Sequence, residues 1–258
     1  MNWQAQLKGD PLSWLLEESE PGIRYLALRH LLDLPADDPQ LLQAQRAAHT
    51  QGPIATILGN MQPEGYWSEP GAGYYPKYFS TVWSLILLAQ LGASIDEDER
   101  IKVASNYMLD HALTPDGIFS TNGLPSGTAD CLLGNLCHAL VSLGCKDKRL
   151  EKAFEWMART VTGEGIAPME EKKAPVRYYA GKCGPTFACG SNNKLPCAWG
   201  GVKVMLAFSA WPVEKRTPFI QSAIQHGMDF FFSVDPATAA YPNGWAEKPS
   251  GNSQDPRA

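Results

Sequence analysis

Three stretches of the chain, residues 79–92, 131–144 and 197–212, are dominated by apolar side chains, and each is followed by a more polar stretch, at residues 98–111, 147–160 and 217–232. The polar stretches predict amphipathic helices that cover a more apolar partner, because an apolar stripe on a helix must be buried against another element. Three further helical patterns open the chain. In the first, Ile23, Leu26, Ala27, Leu31 and Leu34 recur at three and four residues. This predicts a helix that starts at Pro21 and is stopped by Pro35, since proline suits a first turn but cannot donate an interior backbone hydrogen bond. The second pattern runs from Asp38-Pro39 through Ala48, and the third from Gly52-Pro53 to about Asn60. Strand patterns are nearly absent, so the expected class is all-α.

The turns between helices repeat. Gln62-Pro63-Glu64-Gly65-Tyr66-Trp67 returns as Thr114-Pro115-Asp116-Gly117-Ile118-Phe119, with 52 residues between Gly65 and Gly117. Gly163-Glu164-Gly165-Ile166 echoes it after another 48 residues, and Pro242-Asn243-Gly244-Trp245 is a fourth form. The first two apolar stretches keep the 52-residue offset, and the third follows with a small slip. Spacing of this kind predicts helical hairpins that must stack on their neighbours to bury their apolar faces. The apolar helices form an inner layer and the polar ones an outer layer. The expectation is one domain over residues 1–258, with residues 246–258, polar and rich in turn residues, as a flexible tail.

Composition narrows the function classes. A chain of 258 residues, 44% hydrophobic and 19% charged, can bury a substantial core. A net charge of -5 without a basic run argues against a nucleic-acid partner, because phosphate binding needs clustered Lys and Arg. The start, MNWQAQLKGDP, lacks the charged-then-apolar pattern of a signal segment. The longest apolar run, residues 82–89, is broken by Ser84 and too short to span a bilayer. The expectation is therefore a cytoplasmic protein without a transmembrane segment. Six cysteines in that setting read as thiols or metal ligands rather than a disulfide framework.

Helical hairpins of this length, joined by turns of the form Gln-x-x-Gly-x-Trp, resemble the prenyltransferase and squalene-cyclase repeat family over roughly residues 14–245. The resemblance implies an α/α toroid with an apolar, isoprenoid-like ligand in a central cavity. It does not supply the family's catalytic groups. No Asp-x-Asp-Asp stands at an inner helix head; Asp96-Glu97-Asp98-Glu99 precedes an outer helix and reads as a capped, solvated helix start. The family's zinc ligands are an Asp, a Cys two residues on and a distant His. Here Asp130 directly adjoins Cys131, Leu195 stands where an Asp would precede Cys197, and His226 falls on an outer helix. About five hairpins are legible, so the expected toroid is open or incomplete. Either the chain is truncated, or a neighbour completes it, leaving a place for a protein partner at the open end.

A different metal site follows from helix position. If the inner helices run the same way, their N-terminal ends share one rim. Cys131 and Cys197 lie at two of those ends, and the loop carrying Cys183 and Cys189 leads into the same rim. Four thiolates there would bind Zn²⁺ tetrahedrally, with helix N-termini lowering their pKa values. The alternative is that they are small buried residues or free thiols. Cys137 and Cys145 read as core.

Aromatic residues are the other candidates. Tyr75, Tyr78 and Trp83 cluster with Tyr74 and Phe79 around the first inner helix, and Tyr179 and Trp199 flank the third. In the toroid that the resemblance implies, they would line the cavity, hold an isoprenoid or stabilise a carbocation through their π faces. The alternative is that they are core rings. Lys77 and Lys203 could meet a diphosphate but form no phosphate motif, and His30, His49, His111, His138 and His226 show no metal spacing. Three functions stay open: binding of an apolar ligand, a non-catalytic scaffold or interaction module with a structural cysteine metal site, and redox chemistry at the loop thiols.

Overall fold

The structure, a computed structural model, describes residues 6–244. Trp245 of the fourth turn and the tail at residues 246–258 lie outside the described residues. Ten α-helices are present among the described residues: α1 (Leu12–Leu15), α2 (Pro21–His30), α3 (Pro39–Thr50), α4 (Pro53–Gly59), α5 (Thr81–Gln90), α6 (Glu99–His111), α7 (Asp130–Ser142), α8 (Arg149–Thr162), α9 (Ala198–Ala210) and α10 (Pro218–Phe231). Short 3₁₀ turns accompany them, and β structure among the described residues is limited to isolated bridges, so the fold is all-α. Among the described residues no helix is long and apolar enough to cross a membrane.

Local chemistry places most of the helix ends. Asp38 accepts hydrogen bonds from the backbone N–H groups of Gln40 (2.8 Å) and Leu41 (3.4 Å), capping α3. Asp98 accepts from Arg100 N–H at 2.9 Å and caps α6, so the acidic run at residues 96–99 does serve a helix start. The Arg100 side chain also binds Asp98, holding its carboxyl below the usual range. The exception is α2, which ends at His30 rather than continuing toward Leu34. Asp33 turns left-handed (φ 51°), and Leu34 N–H folds back on the Leu28 carbonyl at 3.1 Å. Pro35 disfavours helical geometry at Leu34, and this closure ends the helix earlier still. α2 and α3 bury Tyr25, Leu28, Leu41 and Ala44 in a small core of their own.

Helices α4–α10 form two layers around one larger core. In the inner layer α7 packs on α9 along its length and on α5 at its other flank; α6 covers α5, α8 covers α7, and α10 lies against α8 and α9. The inner helices are parallel. Ile95, past the end of α5, donates to the carbonyl of Leu143, past the end of α7, at 2.9 Å. At Gly134 of α7 a Cβ would stand 2.5 Å from the backbone of Lys203 and Val204, so α7 and α9 touch main chain to main chain.

The repeated turn is a repeated structure. Gln62 N–H donates to the Tyr66 carbonyl (2.8 Å) and Gly65 N–H to the Gln62 carbonyl (2.9 Å). Fifty-two residues on, Thr114 and Gly117 make the same two bonds at 3.0 and 2.9 Å. Each glycine has positive φ and seats on the next outer helix, Gly65 against Val103 and Gly117 against Lys152. Phe119, which replaces Trp67, is fully buried and needs no partner, whereas the Trp67 indole donates to the Ile57 carbonyl at 2.7 Å.

Candidate functional site

Because α5, α7 and α9 are parallel, their N-terminal ends meet at one rim. Asp130, the first residue of α7, is 3% exposed. Its backbone N–H donates to the Lys182 carbonyl at 3.2 Å, and its Oδ1 accepts from the Cys183 thiol at 2.9 Å. Its Oδ2 has no hydrogen-bond partner. Burial is the main cause that pushes the Asp130 carboxyl up to about 7, opposed by the Cys183 thiol. Burial, with Asp130 beside it, also pushes Cys183 well above the usual thiol range. The pair is therefore a near-neutral acid shielded from water.

The loop leading into α9 is pinned at several points. Phe187 is fully buried against Phe230 and Phe231, and Thr186 Oγ1 lies 2.6 Å from His226 Nε2 on α10. Ala188 and Pro196 form an antiparallel bridge, flanked by Cys189 N–H to the Leu195 carbonyl (3.2 Å) and Cys197 N–H to the Phe187 carbonyl (2.9 Å). Side chains alternate along such a ribbon, so Cys189 and Cys197 leave it on the same face. There the Cys197 thiol donates to the Cys189 sulfur, toward which the N–H groups of Ser191 and Asn192 also point. The Cys197 bond is the main cause that brings Cys189 down to about 6, while Cys197 is pushed up. The shift favours the thiolate of Cys189, which is the nucleophilic form.

Between the helix heads lies Cys131, half-buried in the first turn of α7. Burial pushes its thiol up, and the Lys203 cation opposes the shift. The Lys203 ammonium sits 3.9 Å from the centre of the exposed Trp199 ring. Burial lowers its pKa, and Cys131 and Cys197 oppose that. On the α5 side the Lys77 ammonium lies 5.6 Å from the Tyr74 ring, Tyr74 and Tyr78 both lean on Trp83, and the Trp83 indole donates to the Tyr74 carbonyl at 2.9 Å. The Tyr74 hydroxyl, pushed up mainly by burial, feels both Lys77 and Cys131. Two lysine–aromatic pairs thus flank Cys131.

The four expected metal ligands reach one neighbourhood but divide into different pairings. Cys183 is bound to Asp130, Cys189 to Cys197, and Cys131 faces Lys203. Among the described residues no group of three or more His, Cys, Asp or Glu side chains is arranged to hold a metal ion. Of the expected ligand-binding aromatics, Tyr75, Tyr78 and Trp199 are exposed, and Tyr75 packs edge-on against Tyr74 at 4.9 Å. Tyr179 packs instead on Trp156 of the outer helix α8 (6.0 Å) and under Arg177 (5.3 Å). Cys137 is fully buried core, and Cys145 is half-buried just past α7. Sequence reasoning passed over Asp130, whose signal was its place at a helix head. It also passed over Leu87, Val202 and Leu206, exposed apolar residues on helices that are apolar on more than one face. No family model, curated protein or solved structure matches this chain.

Proposed function

We propose that the chain is an open α/α-toroid protein of the prenyltransferase and squalene-cyclase kind that binds an isoprenoid-like ligand with an anionic head. The ligand's tail lies along the exposed sides of α5 and α9, and its head meets Lys77 and Lys203. The observation that carries this reading is that each lysine rests on an aromatic ring at the same rim. Trp199, Val202 and Leu206 on α9 and Leu87 on α5 are exposed although their helices belong to the inner layer, and exposed apolar surface of this kind marks a binding face. Three parallel helix N-termini add partial positive charge where the head would sit. The α9 part of this face runs into a groove of about 390 Å³ between α9 and α10, lined by Val202, Met205, Leu206 and Met228, where a protein partner at the open end would compete with the ligand's tail.

Tryptophan fluorescence tests the binding. Farnesyl diphosphate quenches it saturably, and Trp199→Ala removes much of the change. Lys77→Ala and Lys203→Ala each weaken the diphosphate about tenfold, the equivalent of about 1.4 kcal/mol, and leave binding of the corresponding alcohol unchanged. Absence of saturable quenching by both compounds rules the reading out.

A second reading is a scaffold with a structural zinc clip, favoured by the mutual electrostatic contact of Cys131, Cys183, Cys189 and Cys197. Elemental analysis then finds stoichiometric zinc in the purified protein, lost in Cys183→Ser and Cys189→Ser. Metal-free protein, or full retention in both variants, excludes the clip.

A further inference from the structure

We propose that Cys189 and Cys197 are a reversible dithiol–disulfide pair that reacts with hydroperoxides, Cys189 attacking and Cys197 resolving. The inference stands apart from the ligand reading. It rests on the ribbon at residues 187–197, which carries both thiols on one face, diagonally across one bridge.

The roles follow from position. Cys189 is half-buried and open to a small oxidant, whereas Cys197 is 7% exposed and sits behind it as the N-cap of α9. The charged and titratable groups facing the pair are Asp130 and Cys131 from α7 and Lys203 from α9. The other cysteines are poorer candidates: Cys183 is buried and donates its hydrogen bond to Asp130, and Cys137 is closed in the core.

The chemistry balances within the pair. The Cys189 thiolate attacks one oxygen of the hydroperoxide, an S–O bond forms, the O–O bond breaks, and the leaving oxygen takes a proton and departs as water or an alcohol. The Cys197 sulfur then attacks the sulfenic sulfur, the S–S bond forms, and the hydroxyl leaves as water with the Cys197 proton. Two electrons pass from the two thiols to the peroxide. Diagonal neighbours on an antiparallel ribbon have Cα atoms about 7–8 Å apart, and a disulfide needs roughly 4.4–6.8 Å. Closure therefore draws Cys189 and Cys197 together by about 1 Å across the bridge, within a loop that Asn192 also ties to the Pro196 and Pro242 carbonyls.

The test uses the full chain, reduced, then treated with hydrogen peroxide and mapped by mass spectrometry. The expected product has lost two hydrogens per chain, with Cys189 linked to Cys197, and dithiothreitol reverses it. Cys197→Ser stops at a Cys189 sulfenic acid that dimedone traps, and Cys189→Ser leaves Cys197 reduced. The unmodified chain gives an independent readout if either variant folds poorly. Iodoacetamide alkylates the half-buried Cys189 ahead of the buried Cys197. A cross-link between other cysteines, no mass change, or a Cys189 that alkylates no faster than Cys197 overturns the proposal. So does stoichiometric zinc that keeps Cys189 unreactive.

Discussion

Replacing Asp130 by Asn shifts stability by about 4 kcal/mol in the variant's favour, relative to the parent, between about pH 4 and about pH 8. The cause is the burial of a carboxyl that the Cys183 thiol compensates only in part. Its pKa rises from 3.8 in the ordinary state to about 7 in the folded protein. Between those values the folded chain keeps a proton that the unfolded chain releases, so stability falls as the pH rises through the window. Roughly three units at 1.36 kcal/mol each give the expected size. Asparagine keeps an oxygen for the Cys183 thiol and has no charge to desolvate, while its buried NH2 group adds a cost of about 1–3 kcal/mol that does not change with pH.

Cys189 has the opposite sign. Its folded pKa of about 6 lies below the ordinary 9.0, so the folded state sheds that proton first and stability rises across the interval between them. Comparing the variant with the parent at each pH cancels most of this contribution, because both chains carry Cys189. Urea unfolding from about pH 4 to about pH 8 measures the difference. A gain that stays the same at every pH would sink the argument.

The fold was readable in the sequence wherever its cause is local. Prolines and Asp caps start α3 and α6, left-handed glycines close the turns, and the 52-residue offset relates two turns that prove to share their hydrogen bonds. The end of α2 was not readable, because the apolar period runs past the point where Leu34 folds back on Leu28. The rim was half readable. Helix-head positions place Cys131 and Cys197 together, but which thiol pairs with which depends on how Phe187 seats the loop against α10. The Asp130–Cys183 bond joins residues 53 apart and follows from the contact of α7 with α9 at Gly134, a glycine that a helix pattern registers only as small. Tyr179 was grouped with Trp199 by sequence proximity, yet its ring turns to Trp156 on the outer layer.

Gly117→Ala costs about 3 kcal/mol and lowers the melting temperature by roughly 6–12 °C. Two separate penalties add. At φ +84° an alanine pays the left-handed strain, about 1–2 kcal/mol. Its Cβ would also stand 2.6 Å from the carbonyl carbon and oxygen of Lys152. Those atoms belong to the backbone of α8 and cannot rotate away, so the helix must shift, at about 1–3 kcal/mol. Gly144→Ala separates the two penalties, since φ is +93° there but the nearest atom, Ile95 Cβ, is 4.0 Å away. It pays only the strain, about 1–2 kcal/mol. Thermal unfolding of both variants decides the matter. Equal losses would mean that the seat on α8 is not what the repeated glycine provides, and the turn would lose its physical standing as the mark of each hairpin.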